Sequence, residues 1–277
     1  MHIRTYNTVN EYWMDVGHFL LTNPVKYNIV LGQLVSTKDR DKILTNTSLL
    51  ALFDNDQFIM TAFKNRPNVI LYGENYTIAH LQNLSEYFKM QQIRLNGCIG
   101  DKNLAKQFSK IYNPEFKVDK TLIGHKLAKL KPIDLSEGCM ETCDELDIEL
   151  ATIWLEKFGK ECQMPHRPIG EAIKKMAMSL IENGRLFKWV VNNTPVSICT
   201  ELVSNDYFSK ISLVYTPVEQ RNRGYALSCV WTLTKMIQDR GQKTICLFTD
   251  KSNPTSNKIY KQIGYEPMFE DYEISYQ

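Results

Sequence analysis

Arg221-Asn222-Arg223-Gly224 stands between an apolar run that stops at Pro217 and a helical pattern that opens at Tyr225. A strand, a glycine-containing loop and a helix start, in that order, make an anion cradle. The first-turn N–H groups of a helix have no intrahelical partner, and the macrodipole adds about half a positive charge there. Gly224 lets backbone approach a ligand without a Cβ in the way, and Arg221 and Arg223 add charge-assisted donors. The chemistry supported is capture of a phosphate-bearing ligand. A second constellation, Asn253-Pro254-Thr255-Ser256-Asn257-Lys258-Ile259-Tyr260, runs on through Lys261-Gln262-Ile263 to Gly264. Asn253 suits an N-cap, Pro254 the first helical position and Gly264 the left-handed stop. Asn257 and Tyr260 share one face of that helix, while Ile259 and Ile263 turn to the core. A phenol has an ordinary pKa of about 10, so it is protonated at neutral pH and able to give a proton to a leaving group.

Spacing sorts the phosphate ligands. No Lys-Ser/Thr pair closes the loop as in an NTPase P-loop, and a single glycine stands where a dinucleotide fingerprint needs several. The pattern Arg221-x-x-Gly224-x-Ala226, with Gln220 in front, resembles the pyrophosphate-binding loop of the GNAT superfamily of acyl-CoA-dependent N-acyltransferases. The helix of Asn257 and Tyr260 looks like that superfamily's second motif. The resemblance implies acetyl-CoA as co-substrate and no metal. It implies that Gln220, Arg221, Asn222, Arg223, Gly224, Tyr225 and Ala226 hold the pyrophosphate, flanked by Thr216. Leu213, Val214 and Tyr215 would line the thioester, with the N–H groups of Val214 and Tyr215 facing its carbonyl. An oxyanion-type donor of this kind is typically worth about 3 kcal/mol. Asn253 and Asn257 would meet the cofactor, and Tyr260 would protonate the departing thiolate. Neither His nor Cys is implicated by spacing, so direct attack by an acceptor amine is expected.

The base is less well marked. Glu201 falls on the strand adjoining the cofactor strand and is the candidate; Asp206 competes, but Asn205-Asp206 reads as a hairpin turn. The acidic run Glu137, Glu141, Asp144, Glu145, Asp147, Glu149 would attract a cationic acceptor, or would simply be a solvated face near a helix start. Cys139-x-x-x-Cys143 with Cys162-x-x-x-His166 admits a zinc reading, against which stand the missing CxxC spacing and the prolines around His166. The main reading is an N-acetyltransferase for a small-molecule or peptide amine. A non-catalytic acyl-CoA sensor is the alternative.

These groups need elements to position them, and the chain has length for two domains: 277 residues, 43% hydrophobic. A formal charge of +2 gives no case for nucleic acid, no apolar run is long enough for a membrane span, and the N-terminus has no signal-peptide pattern. Seven scattered cysteines point to free thiols and a soluble cytoplasmic protein, monomer or homodimer. A mixed α/β fold is expected, with residues 126–277 forming a GNAT domain. Its elements read as a strand His125 to Ile133, helices Ser136 to Phe158 and Ile169 to Glu182, and strands Leu186 to Val191, Val196 to Val203 and Tyr207 to Tyr215. A helix Gly224 to Arg240, a strand Thr244 to Phe248, the Asn253 helix and a strand Met268 to Ser275 complete it. Residues 1–125 follow similar grammar, with helices Val9 to Leu21 and Pro24 to Thr37, three strands from Ser48 to Tyr72, a helix Ile78 to Met90, a strand near Leu95 to Ile99 and a helix from Asp101. There Gly73-Glu74-Asn75-Tyr76 replaces the arginine–glycine loop, and Glu74 would repel pyrophosphate. A degenerate copy of the fold is expected, joined through residues 113–125.

Overall fold

The computed structural model describes residues 1–37, 40–42, 47–64, 67–163 and 168–277. In chain order the elements are β1 (His2–Tyr6), α1 (Val9–Thr22), α2 (Asn28–Ser36), β2 (Ser48–Asp54), β3 (Gln57–Lys64), β4 (Asn68–Gly73), α3 (Ile78–Met90), β5 (Gly97–Asp101), α4 (Lys102–Tyr112), β6 (Phe116–Leu127) and β7 (Cys139–Thr142). There follow α5 (Ile148–Glu161), α6 (Glu171–Glu182), β8 (Leu186–Val191), β9 (Thr194–Ser204), β10 (Ser209–Tyr215), α7 (Tyr225–Asp239), β11 (Ile245–Asp250), α8 (Pro254–Ile263) and β12 (Tyr265–Tyr276). The architecture is mixed α/β, as the alternation of patterns in the sequence leads one to expect.

The chain divides into two compact units. The first holds Met1–Gly124, Phe248–Asn253 and Pro267–Gln277; the second holds His125–Leu247 and Pro254–Glu266. In the first unit β1, β2, β3 and β4 pair antiparallel in succession, and β4 pairs in parallel with β5. Residues Asp271 to Ser275 of β12 then pair antiparallel with Asp101 to Gly97. The core beneath is made of Leu50, Leu71, Leu81, Leu84, Phe88, Leu104, Phe108 and Ile274, all at most 3% exposed. The last strand of the chain therefore completes the sheet of the first unit. Tyr72 ties it further, donating its hydroxyl to Asp271 Oδ2 at 2.8 Å in a fully buried contact.

In the second unit β7, β8, β9 and β10 pair antiparallel, and the beginning of β10 pairs in parallel with β11. One face is covered by α7 and α8, whose Val230, Leu233, Ile237 and Ile263 are buried completely. The other is covered by α5 and α6, through Trp154, Leu155, Ile173 and Ala177. Each fully buried aliphatic side chain of this kind contributes about 1.5–3 kcal/mol.

Two local expectations change. The helix expected from Ser136 begins only at Ile148, because Gly138 turns with φ +110° and Cys139–Thr142 then pairs with Val190 back to Phe187. Much of the acidic run is spent on fixing that later start. Asp144 accepts from Leu146 N, its own N–H donates to Asp147 Oδ2, and Lys188 Nζ donates to both oxygens of Asp147 at 2.8 and 2.9 Å. The stretch expected to be a junction, 113–125, does contain the division between the units, at Gly124 and His125, although most of it is the strand β6; its β-favouring Phe116-Lys-Val-Asp-Lys-Thr-Leu-Ile composition outweighs the flanking Pro114 and Gly124.

Ile274 is fully buried where the last strand meets the first unit's core. Ile274→Ala is expected to cost about 2–5 kcal/mol. Urea unfolding with a probe in the first unit checks this, and a loss below about 1 kcal/mol would show that β12 is dispensable to that unit.

Candidate active site

The end of β10 is irregular in a way the alternating pattern of Ile211–Tyr215 does not announce. Ser212 pairs with Thr200 and Tyr215 with Ile198, so three steps on β10 match two on β9. Leu213 and Val214 form the bulge, and Leu213 takes a left-handed φ of +52°. Such backbone in a non-glycine residue costs of order 1–3 kcal/mol and persists only where neighbours hold it. Two hydroxyls of β9 do so. Thr200 Oγ1 donates to Ser212 O at 2.9 Å and Ser197 Oγ to Tyr215 O at 3.1 Å, one on each side of the bulge. Ser197 also meets Thr216 Oγ1 at 2.8 Å. Leu213 and Val214 have no register partner on β9, so the β9–β10 ladder is interrupted at this point.

Beyond Tyr215 the chain makes a short helical turn at Val218–Gln220 and then reaches Arg221. Asn222 adopts φ +62° and Gly224 φ +78°, and Gly224 is the N-cap of α7 with no side-chain cap and no acidic residue in the first turn. The first helical bond runs from Ser228 N to Gly224 O, at 3.0 Å. The expected order of strand, glycine-containing loop and helix start is present, and no side-chain bond caps the helix start. Its glycine is required by the left-handed backbone, and an added Cβ would lie 2.5 Å from Ser136 Oγ. This refines the sequence argument, in which the missing Cβ made room for ligand. Ser136 braces the turn, donating Oγ–H to Arg223 O at 2.9 Å and its N–H to Ser228 Oγ at 2.8 Å.

Arg221 is exposed yet engaged. Nε donates to Thr216 O at 2.9 Å, NH2 to Glu161 Oε2 at 2.6 Å, and the guanidinium lies 5.9 Å from the Tyr215 ring centroid. Arg223, Asn222 and Gln220 are exposed or half-exposed on the same loop; Tyr225 is buried and Ala226 half-buried at the helix start.

Tyr260 sits on α8, in one packed cluster with Val214, Tyr225, Cys199 and Cys229. It is 8% exposed, its ring 6.4 Å from that of His125 and 6.1 Å from that of Tyr265. Burial, reinforced by the Cys199 and Cys162 thiols, raises its phenol well above the ordinary value. Gly264 ends α8 with φ +112°; its N–H donates to Tyr260 O at 3.1 Å, and a Cβ there would run into the Lys129 carbonyl. Asn257 is half-buried on α8, and Asn253 precedes the helix with its N–H on Asp250 O at 3.0 Å. On the opposite face of the sheet, Leu213 and Tyr215 pack with α5 and α6.

Glu201 falls elsewhere. Only 2% exposed, it accepts from Ser209 Oγ at 2.7 Å and from Arg240 NH2 at 2.5 Å. Arg240 caps the C-terminal end of α7, and a helix of 15 residues is about 22 Å long, so Glu201 marks the end of that helix remote from Gly224. Its carboxylate is a buried strand–helix tie and not a base poised at the cradle. Asp206 belongs to the turn between β9 and β10, as expected. Of the zinc reading, Cys139 is exposed on β7, Cys143 is buried, and His166 lies outside the described residues. Among the described residues no group of three or more His, Cys, Asp or Glu is assembled for a metal. No described helix is long and apolar enough to cross a membrane. Sequence reasoning missed Thr200, Ser197, Ser136 and Glu161, whose contacts join residues distant in sequence and have no local signature.

Comparison with known proteins places this geometry. The FR47-like protein family matches residues 190–274, which hold β9 to β12. No curated protein matches the chain. Among solved structures, a GCN5-related N-acetyltransferase from Sphaerobacter thermophilus is similar at TM-score 0.68 and 14% identity, over 98% of this chain and 94% of its own. A GNAT-family acetyltransferase from Colwellia psychrerythraea is similar at TM-score 0.64 and 11% identity, over the whole of both chains. A tandem GNAT protein from the clavulanic acid biosynthesis pathway is similar at TM-score 0.55 and 8% identity, over 99% of this chain and 97% of its own. The chain has the GNAT fold, and likeness to a tandem GNAT protein along nearly its full length fits two units of related plan.

If Glu201 is a structural tie, Glu201→Gln should lower stability by about 1.5–3 kcal/mol, the range for a charge-assisted hydrogen bond. CoA affinity measured by calorimetry should stay within about twofold. A large drop in affinity with stability intact would return Glu201 to the site.

Proposed function

We propose that the second unit is an acyl-CoA-dependent N-acyltransferase, with acetyl-CoA as donor and a primary amine of a small molecule or peptide as acceptor. The observation that carries this reading is the continuous path from the Leu213–Val214 bulge to the uncapped, glycine-started α7. In this reading the α7 first-turn N–H groups and the loop from Gln220 to Ala226 hold the diphosphate, and Asn257 flanks the pantetheine arm. The bulge N–H groups steady the thioester oxygen as it gains charge. The acceptor nitrogen attacks the thioester carbon, the C–S bond breaks, and Tyr260 gives its proton to the departing sulfur. The amine sheds its own proton to water, since Glu201 is committed elsewhere. Burial keeps the Tyr260 phenol protonated through the whole neutral range, the state a general acid needs.

The first unit serves as a degenerate copy that does not bind coenzyme. Three differences support this. Its α3 start is closed by Thr77, whose hydroxyl accepts from His80 N while His80 Nδ1 accepts from Thr77 N. Its β3–β4 register, Met60↔Gly73 to Phe63↔Ile70, runs without a bulge. Glu74 stands at the loop, where Tyr27 donates to it at 3.0 Å.

Gly224→Val tests the cradle. A β-branched residue at φ +78° is strained and meets Ser136, so CoA binding by calorimetry should be lost while circular dichroism stays close to wild type. Retained affinity would rule the loop out as the diphosphate site.

Tyr260→Phe tests the acid. Turnover, followed as thiol release with an accepted amine, should fall about 10²- to 10⁴-fold with acetyl-CoA affinity nearly unchanged. The wild-type rate should not decline through Tyr260 ionisation below about pH 10, because burial moves that phenol upward. Full activity in the Phe variant would mean that solvent protonates the thiolate.

A further inference from the structure

Glu161 lies on the last turn of α5, and its carboxylate is spent entirely on the cofactor strand and loop. Oε2 accepts from Arg221 NH2 at 2.6 Å and Oε1 from the Tyr215 hydroxyl at 3.4 Å. Both partners belong to the segment that joins the bulge to the cradle. The bridge is open to solvent, the two side chains being 45% and 40% exposed. Arg221 keeps a second anchor that does not depend on Glu161, its Nε on the Thr216 carbonyl. The guanidinium therefore holds its place along the strand without the carboxylate, and what Glu161 adds is negative charge next to an anion cradle.

We propose that Glu161 is a positioning residue that withholds Arg221 from the coenzyme's diphosphate, so that coenzyme binding requires the diphosphate to displace a carboxylate from the arginine. This rests on the reading of the cradle as a coenzyme site. The physical balance favours exchange over permanent bridging. A half-exposed ion pair is worth at most about fivefold in an equilibrium constant, whereas a diphosphate brings more charge and meets the α7 N–H groups at the same time. The tie also has a consequence for α5. Its last turn is fastened to Arg221 before coenzyme arrives and keeps only the Tyr215 hydroxyl afterwards.

Glu161→Gln separates charge from shape, because the amide oxygen still accepts from Arg221 while the charge is gone. With CoA as the probe and calorimetry as the readout, Glu161→Gln should bind about threefold to fivefold tighter than wild type, the gain shrinking as salt is raised. In an Arg221→Ala background the same substitution should change CoA affinity less than twofold. Unchanged or weaker binding by Glu161→Gln would overturn the proposal, showing that the carboxylate orients Arg221 or is a bystander. An equal gain in the Arg221→Ala background would overturn it as well, since the carboxylate would then repel the diphosphate directly. Failure of wild-type protein to bind CoA would be seen before any variant is made, and would sink the reading of the cradle itself.

Discussion

A strained turn at Leu213 organises the second unit. A leucine in left-handed backbone is costly, and the cost is met by a register mismatch that two hydroxyls hold fixed. Because β10 gains one residue relative to β9, the side chains on either side of the bulge go to different places. Ile211, before the bulge, joins the cluster of Tyr225 and Tyr260 beneath α7, whereas Tyr215, four residues on and due to share its face in a regular strand, joins α5 and α6. One backbone irregularity thus sets where the strand presents its N–H groups, which face Tyr260 packs against, and where the chain leaves the sheet to reach Arg221. A regular β10 would put every one of these groups elsewhere.

Helix starts show the same economy. An α-helix begins with N–H groups that want acceptors, and three helices of this chain satisfy them with a side chain: Thr8, Thr77 and Asp101 each accept from the first turn. Gly224 provides no side chain, and α7 carries no acidic residue in its first turn. With glycine at the N-cap, leaving a helix start open is destabilising by roughly a few tenths of a kcal/mol relative to a capping side chain. Ser136 offsets part of this by bracing the Arg223 carbonyl from outside, which stiffens the turn without occupying its donors. The contrast between α3 and α7 is then one of chemistry at matching places in two similar patterns: a threonine that closes the helix in one unit, a glycine that leaves it open in the other.

How much of this is legible in the sequence follows from how local each signal is. The cradle is written in four adjacent residues and the α8 motif in one helix with its own cap and stop, so both can be read directly. The α7 stripe of Leu227, Val230, Thr234 and Ile237 is a helical period and is equally plain. The start of α5 is misread because acidic residues resemble a helix face until Lys188, forty-odd positions later, claims Asp147. Glu201 is misread for the same reason: its partner Arg240 closes a helix that begins beyond a strand, a loop and a turn. Charge pairs across elements carry no periodicity, and strand register, which produces the bulge, is decided by two strands together.

The C-terminal strand shows what a division by sequence position leaves out. Its first residues, Tyr265 and Glu266, belong with α8, and the rest of the strand, from Pro267 on, belongs with the first unit. Along it, Tyr265 donates or accepts with Thr234 at 2.9 Å inside the second core, and Asp271 receives Tyr72 inside the first. The strand is therefore buried at both ends, in cores built from distant parts of the chain. The strand that follows the Tyr260 helix is fixed at its far end by a core that contributes nothing to the cradle. Tyr260 is accordingly held through Gly264, where the helix stop is locked on the Lys129 carbonyl side and Ala128 N donates to Gly264 O at 3.1 Å. A short helix fastened in this way at its C-terminal end keeps the Tyr260 phenol buried in the second unit's core, the placement that the proposed role of proton donor calls for.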